Sequence, residues 1–184
     1  LAGYGFEIFR SKLRDRVYAI VLLTLMVPFA AIMIPLFMMT AKAGLIDTHI
    51  AIILPFIAWA FVIFYFRQAT KAFPSELRDA AKVDGLKEWQ IFLHIYFPVM
   101  RSTYAAATII VFMMHWNNYL WPLIVVQDEA HRPIMVGLGY FFQLNVPWGE
   151  VMAYLSLITV PVLAFYLVLQ RAFIASIAST GVKG

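Results

Sequence analysis

The sequence predicts an all-α fold, a polytopic bundle of transmembrane helices with four spans visible in its 184 residues. Three observations carry that expectation. The chain is 63% hydrophobic and only 13% charged, too apolar for an ordinary soluble domain. The apolar residues are gathered into blocks, and roughly 20 helical residues cross about 30 Å of hydrocarbon. The basic residues fall almost entirely on one side of those blocks.

That asymmetry sets the orientation. Arg10, Lys12, Arg14, Arg16, Arg67, Lys71, Arg78, Lys82, Lys87, Arg101, Arg171 and Lys183 lie on one side, and only Lys42 and Arg132 on the other. The positive-inside rule then places both termini and residues 67–102 in the cytoplasm. The net charge of +4 is accounted for in this way, without nucleic acid as a partner. Cysteine is absent, which excludes disulfides and thiolate metal sites. His49, His94, His115 and His131 have no metal-ligand spacing, so no metal site is expected. No serine, histidine and carboxylate grouping points to catalysis. No G-x-x-x-x-G-K-[ST] loop is present, so no P-loop nucleotide site is expected on this chain. The chain opens at Leu1 without a signal-peptide pattern, and reads as the C-terminal part of a longer protein.

Taken in order, residues 1–16 form a basic cytoplasmic segment with weak order signals. The first span covers about 17–41 and carries Pro28 and Pro35. Each removes a backbone hydrogen bond and bends a helix whose neighbours re-satisfy the freed groups. With Pro55, Pro122 and Pro161 they predict a bundle of bent helices. Gly44 stops the first span within a short external turn, Lys42 to Asp47. The second span, about 48–66, ends in Tyr65-Phe66-Arg67, an interfacial edge. A cytoplasmic loop, 67–102, follows. The third span covers about 103–126, then a polar external segment reaches Glu150. The last span, about 151–173, leaves a cytoplasmic tail, 174–184. Ser156 and Thr159 are expected to bond their own helix, and Arg171 to snorkel toward headgroups.

The 67–102 loop carries most of the functional information. Pro74 suits a first helical turn, Glu76 and Asp79 suit the positive end of the helix dipole, and Gly85 supplies a stop. These define a helix over 74–84. Phe73, Leu77, Ala80, Ala81 and Asp84 recur at helical spacing, and the alanines make a flat face that another protein's surface can approach closely. A second helix, 86–97, puts Trp89, Phe92, Leu93 and Tyr96 on one face and Lys87, Gln90 and His94 on another. That pattern suits the membrane interface, with Pro98 ending the helix. The loop reads as helix, glycine turn, helix, which is a compact rigid body; a plain hairpin connection is the alternative.

Within the third span, His115-Trp116-Asn117-Asn118-Tyr119 places polar groups at membrane depth, where they are costly unless paired or facing water. Amides offer donors and acceptors, and indole or phenol rings offer flat apolar faces. Sugars need that combination. Bonding between helices, or an aromatic belt, is the competing reading.

The loop has a family resemblance. Asp79-Ala80-Ala81, Gly85 four residues on, then Ile95 and Pro98 resemble the EAA loop of ABC importer permeases: E-A-A, three residues, G, nine residues, I, any residue, L-P. Every spacing is kept, with Asp79 in place of Glu and Phe97 in place of Leu. The resemblance implies docking of this loop into a cleft on an ATPase subunit, through Glu76, Leu77, Asp79, Ala80, Ala81, Asp84, Gly85, Ile95 and Pro98. Trp116 to Leu123, Trp148-Gly149, Gln170 to Phe173 and Gly181 to Gly184 look like segments of sugar-type permeases, of the carbohydrate or glycerol-phosphate kind. By this resemblance the chain is a single permease domain of the inner membrane. It lacks two of six spans before Leu1 and has its C-terminus in the cytoplasm. Its partners are two ATPase subunits, a second permease, an extracytoplasmic solute-binding protein and membrane lipid. It holds no cofactor of its own, with ATP and Mg on the partner ATPase. A permease for another solute class, a secondary transporter and a membrane scaffold are the alternatives. A secondary transporter predicts acidic residues inside the spans, and the four blocks contain none.

Overall fold

The computed structural model describes residues 1–142 and 146–181, with side chains through Gln170. All regular structure among the described residues is helical. The chain divides into two compact units. One comprises Leu1–Leu22, Ala60–Ile110 and the last helix from Leu169; the other comprises Leu23–Trp59 and Val111–Val168.

The first unit begins with a correction. The opening segment, read as weakly ordered, forms helix α1 (Ala2–Ile8), and α2 (Lys12–Thr24) follows. Its two glycines, Gly3 and Gly5, lower the helix propensity of this stretch, and packing helps to hold it in place. Gly3 makes that packing possible. A Cβ there would stand 2.6 Å from the Cβ of Phe66 and 2.8 Å from the backbone nitrogen of Arg67, so α1 lies directly on α5 (Ala60–Thr70). Tyr4 then enters a core with Phe73, Tyr96 and Met100. Its ring meets Tyr96 edge-on at 4.6 Å and Phe92 at 5.2 Å.

The loop supplies α6 (Ser75–Val83), α7 (Glu88–Ile91), a π-helical turn over Phe92–Tyr96, and α8 (Phe97–Val99). Pro98 therefore does not end the second loop helix. It lacks the N–H that the His94 carbonyl would accept, and its ring crowds that carbonyl. The helix widens into a π turn instead of stopping. The run then meets α9 (Arg101–Trp116) with a bend of 78°.

The second unit contains α3 (Phe29–Lys42), α4 (His49–Ile53), a 3₁₀ turn at Leu54–Phe56, α10 (Leu120–Val125) and α11 (Ile134–Leu138). The first predicted span is interrupted, because Pro28 stands as the N-cap of α3 and not inside a helix. Pro35 does lie within α3. The second predicted span is likewise divided at the 3₁₀ turn holding Pro55. Gly44 stops α3 as expected: at φ +67°, its N–H donates to Ala41 O and that of Leu45 to Thr40 O, both at 3.0–3.1 Å. Trp121 is fully buried in a core with Ala51, Val125 and Val126. Its indole Nε1 donates to Ala51 O at 3.0 Å, tying α10 to α4.

The last helix, α12 (Trp148–Gly181), carries Pro161 internally and runs past Phe173 through most of the predicted tail. Ser156 and Thr159 bond the carbonyls of Met152 and Leu155 within it, each at 2.8 Å. Among the described residues, Trp148–Gln170 is long and apolar enough to cross a membrane unaided. Three further spans arise if α2 with α3, α4 with α5, and α7–α8 with α9 each count as one bent crossing. The side chain of Arg171 and the terminal Val182-Lys183-Gly184 lie outside the described residues.

Candidate functional site

Local chemistry shapes the loop. Pro74, extended at φ −62° and ψ 123°, precedes α6; Glu76 lies in its first turn and Lys82 in its last, complementing the helix dipole. The stop at Gly85 is a Schellman turn. Gly85 adopts φ +81°, its N–H donates to Lys82 O, and the N–H of Leu86 donates to Ala81 O, both at 3.0 Å. The side-chain oxygen of Gln90 accepts from the Lys87 N–H at 2.8 Å and closes the start of α7.

Exposure sorts the predicted loop residues. Glu76, Leu77, Asp79, Ala80, Asp84, Gly85 and Pro98 are exposed, and so are Val83 (88%) and Trp89 (59%). Ala81 is 3% exposed and faces the chain's own interior. Of the two alanines, only Ala80 presents a flat outward surface. Ile95 packs on the Tyr4–Tyr96 core. The motif thus contains residues that hold the loop and residues that display it.

A charged cluster that the sequence reading missed fixes the angle between α6 and α7. The Glu88 carboxylate accepts from Arg78 Nη2 at 2.5 Å and pairs with Lys82 Nζ at 3.0 Å. It also accepts from the hydroxyl of Tyr4 at 3.3 Å. Burial opposes ionisation of Glu88, but bonds to Arg78 and Lys82, with their charges, outweigh it and hold the carboxyl below its ordinary range. Burial, and secondly the neighbouring Glu88 charge, push the Tyr4 hydroxyl above its ordinary value. The available signal was opposite charge across the glycine turn, with Arg78 and Lys82 ten and six residues before Glu88. That spacing belongs to no single-helix pattern.

The second predicted cluster separates into different roles. Asn117, Asn118 and Tyr119 form the break between α9 and α10. The Asn117 amide donates to Met113 O at 2.7 Å, closing the end of its own helix. His115 and Asn118 instead line a cavity of about 260 Å³ with Phe29, Phe56, Trp59 and Met114. Phe56 and Trp59 meet the His115 ring edge-on, at 4.8 and 5.8 Å. Trp116 stacks on Phe112 at 5.3 Å, and its indole nitrogen is buried without a partner among the described residues. Tyr119 reaches Gly139, where a Cβ would stand 2.7 Å from its hydroxyl. Two polar groups, an aromatic wall and a methionine make a surface suited to a small polar solute with apolar faces.

The chain is 65% identical over 175 residues to the lactose transport system permease protein LacG of Rhizobium radiobacter, covering 95% of this chain and 64% of that one. It is 37% identical over 188 residues to the arabinooligosaccharides transport system permease protein AraQ of Halalkalibacterium halodurans, covering 100% of this chain and 66% of that protein. The sn-glycerol-3-phosphate transport system permease protein UgpE of Rhizobium meliloti is 32% identical over 98% of the chain and 65% of its own length. The chain therefore spans just under two thirds of the curated relatives it matches. Its fold matches a chain from the crystal structure of a bacterial ABC transporter involved in the import of the acidic polysaccharide alginate. The TM-score is 0.78 at 26% identity, over 93% of this chain and 66% of that one. Residues 1–179 match the family described as the binding-protein-dependent transport system inner membrane component, and the chain belongs to that family.

Proposed function

We propose that the chain is the permease part of an ATP-driven importer for a sugar or sugar-like solute, with separate ATPase subunits gripping its 74–98 loop. The observation that carries this reading is the construction of the loop. Two helices meet at a glycine turn, are fastened by Glu88, and display Glu76, Leu77, Asp79, Ala80 and Val83 outward. A stiff body of this kind transmits a rigid displacement, which a flexible linker would dissipate. The solute class rests on the printed names of relatives, for lactose, arabinooligosaccharides and glycerol 3-phosphate. The cavity beside His115 and Asn118 supports it.

In this reading ATP and Mg are held by the partner, and a second permease and an extracytoplasmic binding protein complete the assembly. The C-terminus and the 67–102 loop face the cytoplasm. ATP binding draws the ATPase subunits together, each carries its coupling loop, and the solute path alternates between the two faces of the membrane. Solute and nucleotide each bias that change only through different affinities for the two states. Two exposed positions test the reading. Leu77→Arg and Val83→Arg in the full-length chain should reduce co-purification of the ATPase and ATP-dependent lactose uptake, with membrane insertion preserved. Undiminished association in both variants would overturn it.

A further inference from the structure

Two groups of ionic and hydrogen-bonded contacts, joined through helix α1, lead away from the loop. The first passes from Arg78 and Lys82 on α6 to Glu88 on α7, and from Glu88 to the hydroxyl of Tyr4 on α1. One turn on, Glu7 of α1 accepts from Arg67 Nε of α5 at 3.2 Å, and Arg67 Nη2 donates to Asp15 of α2 at 2.8 Å. The Arg67 guanidinium lies 3.9 Å above the Tyr18 ring. Packing follows the same route: Gly3 brings α1 onto the backbone of α5, and the Tyr96 hydroxyl meets Thr70 Oγ1 of α5 at 2.6 Å.

We infer that α1 is a working part of the coupling device, with Glu88 a positioning residue that fastens the outward-facing loop to α1 and, through Glu7 and Arg67, to α5 and α2. This rests on the proposed role of the loop and adds residues outside its motif. Displacement of α6 then reaches α5 and α2 through Glu88, the first residue of α7, and α1, without first travelling along the π turn and α9. The energetic argument is one of multiplicity. A single half-exposed ion pair contributes little, but Glu88 holds three donors on two other helices. Arg67, with its side chain 10% exposed, binds two carboxylates whose geometry it fixes. Removing the Glu88 charge therefore loosens α1 from α6 without altering the outward surface of the loop.

The test is an intramolecular distance. Paired spin labels on Val83→Cys and Lys12→Cys, both exposed positions, are placed in the full-length chain assembled with its partner subunits in lipid nanodiscs. The expected result is one narrow distance that stays the same in nucleotide-free and vanadate-trapped complexes. Glu88→Gln and Tyr4→Phe should broaden or split it. A narrow distance in Glu88→Gln, or a wild-type distance that changes on trapping, overturns the inference. Co-purification of the ATPase, measured on the same samples, separates this outcome from failure of the importer reading. If no ATPase binds, the nucleotide-free distances still decide whether Glu88 fastens α1.

Discussion

At the scale of single residues, conformation and pairing each make a separable demand. Gly85 is the clearest case of the first. Open space surrounds the position a Cβ would take, so the cost of a side chain there is conformational and not steric. At φ +81°, a β-branched residue loses about 1–2 kcal/mol. Gly85→Val should therefore lower thermal stability of the loop, while Gly85→Asn, which tolerates the left-handed region, should restore most of it. Trp121 illustrates pairing. Trp121→Phe keeps most of the ring but leaves the Ala51 carbonyl without its indole donor. A loss of about 1–3 kcal/mol in thermal or denaturant unfolding is expected. Arg67→Met removes the cation and leaves the Glu7 carboxylate buried without it, while Asp15 is half exposed; breaking a fully buried pair costs about 3–5 kcal/mol. Because Glu7 also pairs with Arg10, the lower end of that range is expected in the same unfolding measurement.

At the scale of elements, the loop has a definite pH window. Glu88 is held below the ordinary carboxyl value of 4.5, so its contribution is complete above that value and is lost as pH falls through the lower folded value. Tyr4 is raised above 10.0, so its contribution is complete below that value and is lost as pH rises through the raised one. Amide protection over residues 75–91, corrected for intrinsic exchange, should be flat between about pH 5 and 10 and fall outside that window. Uniform protection down to pH 3 would show that the charges do not hold the loop. The elements also show what was legible in the sequence. Gly44 and Gly85 could be read as helix stops because the demand for positive φ is local and few residues meet it. Ala81 was misassigned to the outward face because periodicity defines a face but not what covers it. The fate of Pro98 was hidden because a helix can widen around a proline as well as end at it. Helix α1 was invisible because it is held by Tyr4 and Gly3 against partners distant in sequence.

At the scale of the molecule, family membership was legible from one spaced motif, Asp79-Ala80-Ala81 through Pro98, because its letters and gaps fall within a short run. The candidate solute path was legible only as a polar interruption. The sequence grouped His115 to Tyr119, whereas the fold directs Asn117 to its own helix and sets His115 and Asn118 beside Phe56 and Trp59, residues some 60 positions away. His115→Ala and Asn118→Ala should accordingly reduce solute transport more than Asn117→Ala, with ATPase association unchanged in all three. Uptake assays beside co-purification would show the difference. The central claim is that the exposed end of α6 is the grip of a separate ATPase. Val83, the most exposed apolar residue of that helix, tests it most directly. A photo-crosslinker at Val83, in membranes holding the full transporter, should join this chain to the ATPase subunit. Labelling of lipid or bulk solvent components alone, with no crosslink to an ATPase, would contradict the account.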